Sequence, residues 1–146
     1  MAEPAPLTEP DVEKLVRRVY LELFDSHAPV DEFLTCLADE ELEMRFPEAT
    51  IRGHAEFRRW YDGIVHTYFD EVHTIKELAV STDGERAEVK VLVNWQARTW
   101  TPPAARSEGL VYDAGQTWEV RRSSTTGAPV IVRYVVDTFT PATPPD

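Results

Sequence analysis

Helical periodicity confined to the first half of the chain, strand periodicity confined to the second, and turn residues between the strand segments predict an α+β domain. Apolar residues recur at three-four spacing before residue 69. Beyond it, four segments alternate with period two and are separated by Asp-Gly, Pro-Pro and Thr-Gly turns. Helices first and a strand meander last place three N-terminal helices on one face of a mostly antiparallel sheet.

The first helix opens at Thr8-Glu9-Pro10-Asp11, a capping threonine with a carboxylate three residues on. Val12, Leu15, Val16, Val19, Tyr20, Leu23 and Phe24 form one apolar stripe, which stops at Asp25-Ser26-His27 before Pro29. A short second helix starts at Asp31 and buries Phe33, Leu34 and Leu37. Glu41–Phe46 reads as a strand closed by Pro47, and Gly53 breaks the chain again. The third helix, from His54 to Tyr68, carries the aromatic stripe Phe57, Trp60, Tyr61, Ile64, Val65 and Tyr68. The strands of the meander are expected over Val72–Ser81, Glu85–Thr101, Ser107–Ser123 and Pro129–Thr140. One domain, residues 8–141, accounts for the pattern, with 1–7 and 142–146 as Pro- and Ala-rich flexible tails.

At 146 residues and a net charge of −11, the chain can build a single core but lacks the clustered Lys and Arg that nucleic acid or an anionic membrane surface requires. Cys36 is the only cysteine, so an intrachain disulfide is impossible. No apolar run approaches membrane-spanning length, and the acidic N-terminus is unlike a secretory signal. A cytoplasmic protein is expected.

Period-two counting sorts the side chains into faces. In the long strand Val89, Val91, Val93, Trp95 and Ala97 form the core face, whereas Lys90, Leu92, Asn94 and Gln96 form a moderately polar one suited to solvent or a homodimer interface. In the next strand Gln116 shares the inner side with Leu110, Tyr112, Ala114, Trp118 and Val120. The last strand is apolar on both sides, and Asp137 falls in it with Ile131, Arg133, Val135 and Phe139 on one face. A charged carboxylate in so apolar a strand costs several kcal/mol unless it is paired, and one held in a greasy cavity can act as an acid or base.

The order of elements resembles the nuclear transport factor 2-like superfamily, in its SnoaL-like polyketide cyclase and ketosteroid isomerase-like branches. The residues that carry the resemblance are Phe46-Pro47 followed by Ile51-Arg52-Gly53-His54, then Phe69-Asp70-Glu71-Val72-His73, then Arg133–Phe139. It implies a cone whose curved sheet and helices enclose an apolar ligand cavity, with a catalytic Asp near the end of the last strand, where Asp137 falls. Limonene epoxide hydrolase-like members use polar groups on the strand after the second helix, where Glu43 and Arg45 stand. Their further Arg/Asp pair is missing here, with Lys90, Leu92 and Asn94 in its place. Scytalone dehydratase-like members use histidines, for which His73 is the candidate. Ring-hydroxylating dioxygenase β subunits share the fold without a catalytic site.

The residues expected to carry function are Asp137 and His73 as the proton-transfer groups, with Trp60, Tyr61, Trp95, Gln116, Trp118 and Arg133 binding the ligand. The alternative role for Asp137 is a structural ion pair, with Arg133 two residues away on the same face or with Arg45. His54, at a helix start, reads as a capping or surface residue. His66, Asp70 and His73 have a metal-like spacing but diverge where the third helix ends, so no metal and no cofactor is expected. The reading is a hydrophobic, ring-containing ligand undergoing cofactor-free isomerisation, dehydration or cyclisation. A non-catalytic ligand carrier or a subunit-interaction module is the alternative.

Overall fold

A computed structural model describes residues 5–145. Helix α1 (Glu9–Arg17) begins with Thr8 Oγ1 accepting the Asp11 amide at 3.3 Å and continues into a π-helical stretch, Arg18–Phe24. Helix α2 spans Val30–Leu34 and α3 Gly53–Thr67. The strands are β1 (Glu43–Arg45), β2 (Thr50–Arg52), β3 (Phe69–Thr82), β4 (Arg86–Thr99), β5 (Glu108–Arg122) and β6 (Pro129–Pro141). They form one sheet in the order β2-β1-β6-β5-β4-β3, antiparallel throughout except for β1 on β6.

The helical stripe and the inward strand positions meet in one core. Val12, Val16, Val19 and Phe33 pack with Val89, Val93, Trp118, Val120 and Ile131, all of them buried. Each such side chain contributes about 1.5–3 kcal/mol through its removal from water.

Two bulges in β6 alter its alternation. Gln116 pairs with Val136 and Gly115 with Thr138, so Asp137 is the extra residue between them. An unpaired residue shifts the parity of everything beyond it. Tyr134 and Val136 therefore share the inner side with Phe139, and Asp137 does not.

The segments expected to be loose tails are partly fastened. Leu7 is 1% exposed and its amide donates to Gly84 O at 2.8 Å. Arg122 donates to the carbonyls of Ala5 and Pro6 and pairs with Asp11 at 3.3 Å. At the other end the Asn94 amide donates to Thr143 O at 3.0 Å. Residues 1–4 and 146 lie outside the described residues. No helix is long and apolar enough to cross a membrane among the described residues.

Candidate active site

A cavity of about 210 Å³ opens between α3, the turn after β1 and the inner side of β3–β6. Its walls are largely aromatic. Phe46 stacks on Trp60 with ring centres 4.0 Å apart, and Tyr112 stacks on Phe139 at 4.3 Å. The polar residues on the wall include His73, Gln116, Glu71 and, at an exposed position, Glu48; no Lys or Arg lines it among the described residues.

His73 is 9% exposed and sits against the rings of Tyr20 and Phe24, at 5.2 and 5.5 Å. Asp25, just beyond the π-helical stretch, uses one oxygen for both the His73 backbone amide (2.9 Å) and Nδ1 (2.7 Å). The double contact fixes the ring and places the proton-bearing role on Nδ1, which leaves Nε2 as the nitrogen available to a ligand.

The second pair runs the other way. Glu71 is two residues from His73 on β3, so both side chains lie on one side of the strand. Its Oε1 accepts the Trp95 indole N–H at 2.9 Å and its Oε2 is bonded to His27 Nε2. Glu71 is buried to 3% side-chain exposure, while His27 retains 21%. Asp70, immediately before Glu71, has φ +53° at a register shift between Phe69 and Val72, a bulge that turns Glu71 inward.

Deeper in, Gln116 Oε1 accepts from the Tyr20 hydroxyl and from Trp118 Nε1 at 3.4 Å. Two donors on the oxygen leave the amide nitrogen as the donor this side chain can offer on the cavity wall. Tyr134 places its hydroxyl 3.3 Å from that of Tyr20. Burial, then the neighbouring Tyr134, pushes the Tyr20 phenol well above its ordinary value, and burial does the same to Tyr134. Both remain protonated donors.

Of the residues singled out by sequence, His73, Trp60, Trp95 and Gln116 line the cavity. Trp118 is 1% exposed in the core and Tyr61 is buried with its hydroxyl on Ala28 O at 2.6 Å; neither lines the cavity. Arg133 is exposed and lies 3.6 Å from Glu43, not on Asp137. Asp137 is exposed on the outer side, accepting the Thr117 hydroxyl at 2.6 Å. The inward carboxylate expected of β6 is thus corrected: with Tyr134 and Val136 facing inward, alternation sends Asp137 to the outer side together with Arg133, and the extra residue there lets Phe139 rather than Asp137 reach the cavity. His54 donates its backbone amide to Asp39 at 3.0 Å, in the manner of a helix start. Sequence reasoning overlooked Asp25, His27 and Glu71 as site residues. Their signal was the repeated spacing: Asp25-x-His27 and Glu71-x-His73, acid and imidazole two apart in each.

No protein-family model and no curated protein matches the sequence. Solved structures do match. The chain is similar to a candidate scytalone dehydratase from Novosphingobium aromaticivorans (TM-score 0.74, 14% identity, 93% of this chain and 88% of that one). It is similar to a ketosteroid isomerase-like protein from Erwinia carotovora atroseptica (TM-score 0.69, 20% identity, 94% and 100%). A nuclear transport factor 2-like superfamily protein from Salmonella enterica serovar Typhimurium gives a TM-score of 0.71 at 12% identity, over 93% and 92%. The fold is accordingly that of the nuclear transport factor 2-like proteins, as the layout of helices and strands led one to expect.

Proposed function

We propose that the chain binds a neutral, ring-containing hydrophobic molecule in the aromatic cavity and moves a proton on it without a cofactor, in an isomerisation, dehydration or cyclisation. The observation that carries this reading is His73, held by Asp25 at 2.7 Å inside an apolar cavity with Nε2 free to reach a ligand. Gln116 would orient an oxygen of the ligand, and Trp60 and Trp95 would flank its ring. The names of two structural neighbours, dehydratase and isomerase-like, belong to the same class of chemistry. Asp137, outside the cavity, has no part in it.

The bicyclic ketone 2-tetralone is a suitable probe, since its α-hydrogens exchange with solvent when a base removes them. It should raise the melting temperature of the protein, and in D2O the protein should speed its deuteration. His73→Gln should keep the fold and lower that rate by about 10²-fold or more. An undiminished rate in this variant, measured by NMR, would remove the proposal.

A homodimer through the outer side of the sheet is the second reading. Leu92 and Gln96 are only partly covered there, at the centre of a strand whose ends carry charge. Sedimentation over a range of concentrations tests it, and a strict monomer rejects it.

A further inference from the structure

Two acid–imidazole pairs cross between the end of the first helix and β3. From the helix end come Asp25 and His27, from the strand His73 and Glu71, and each acid meets the imidazole of the other segment. The pairs have opposite polarity toward the cavity. In one the imidazole lines it and the carboxylate stands behind; in the other the carboxylate lines it and the imidazole stands behind. The rear member of each keeps 21% of its side chain exposed, so each pair leads from solvent to the cavity wall.

The backbone at His27 adds an independent observation. The first helix ends with the Ala28 amide on Leu23 O at 3.0 Å and the His27 amide on Phe24 O at 3.2 Å, which makes His27 the left-handed residue of a Schellman motif, φ +50°. Glycine is the usual occupant. An imidazole is held there at a conformational cost, and strained backbone of this kind gathers at sites where a side chain must be aimed.

We infer that Glu71 is a second proton-transfer group of the cavity and that His27 is its proton connection to solvent. This rests on the acid–base reading of His73. In the forward step His73 Nε2 takes a proton from a ring carbon, and the electron pair of the broken C–H bond moves into the ligand. The proton shared between Glu71 and His27 is delivered to a second ligand atom, which for a ketone is the oxygen. His73 then holds one proton more and the Glu71–His27 pair one fewer. His27 takes a proton from water, His73 gives its own to solvent, where it neutralises the hydroxide left behind, and both pairs are back at their starting proton count with the ligand rearranged. Glu71 and His73 stand two residues apart, roughly 7 Å along the strand, so removal and delivery fall on different atoms of one small ring. Around Glu71 stand His27 from the helix end, Trp95 from β4, Tyr61 from α3 and Tyr68 just past its end, with His73 beside it on β3 and the exposed Glu48 on the same cavity wall. Burial first, and then negative charge including that of Glu71, raises both phenols, Tyr61 to about 12, so neither competes as a proton carrier near neutrality.

The test follows deuteration of 2-tetralone by wild-type protein and by H27A, E71Q and H73Q, each first shown to bind the probe by thermal shift. H27A should lose at least tenfold in rate and regain most of it when millimolar imidazole is added to the buffer. E71Q should lose as much and gain nothing from imidazole. If H27A folds poorly, H27G suits the left-handed backbone and serves the same comparison. A wild-type rate in H27A or E71Q, or a loss in H27A that imidazole leaves in place, overturns the relay while H73Q still reports on the first base. Absence of any exchange in the wild-type protein overturns both.

Discussion

At the scale of single residues, the cavity is defined by which atoms are already taken. Asp25 spends one oxygen on two donors of His73, and Trp95 fixes one oxygen of Glu71. Asp137 has the opposite situation, with an exposed carboxylate held by one hydroxyl. Asp137→Asn is therefore expected to change stability by no more than about 0.5 kcal/mol and to leave 2-tetralone exchange unaltered, as urea unfolding and NMR would register. His73 was singled out because an imidazole can both take and give a proton and because the resemblance to scytalone dehydratase-like members asks for a histidine; its neighbours in the strand, Ile75, Glu77 and Ala79 on the same side, did not by themselves mark it as a cavity residue. Asp137 was misread because the last strand is apolar on both sides, so period-two counting does not say which side faces the cavity, and the extra residue in β6 is set by pairing with β5, a relation that no local window of sequence contains.

At the scale of elements, the strands of the meander were legible to within a few residues, since their apolar alternation and turn residues are local signals. The strand Thr50–Arg52 was not, because three residues give no period to read and its existence depends on β1 alongside it. The end of the first helix was legible as a stop but not as a device. Its left-handed position should make H27G more stable than H27A by about 1–2 kcal/mol, measurable as a higher urea midpoint. Equal midpoints would mean that the backbone there carries no strain. The pairing of His27 with Glu71 could have been suspected from the matching acid-x-imidazole spacings, but which acid meets which imidazole follows only from how the helix end lies on β3.

At the scale of the molecule, several phenols are buried with the core. Tyr20, Tyr61 and Tyr134 all have their ionisation pushed upward by burial, Tyr61 to about 12. In the unfolded chain a phenol loses its proton near pH 10. Between that value and the raised one the unfolded state binds fewer protons than the folded state, so stability is fully present below about pH 10 and falls as pH climbs toward 12. Thermal unfolding followed across that window should show the decline, and Tyr61→Phe should make it shallower.

The clasp around Leu7 carries a practical consequence. A protease or an expression design that trims the polypeptide up to Thr8 would uncork the interior beneath the Asp83-Gly84 hairpin tip rather than shave off a loose thread. It would also strip Arg122 of two carbonyl partners. Such a shortened polypeptide should unfold more easily by about 2 kcal/mol, and a hydrophobic dye would light up on it while leaving the untrimmed chain dark.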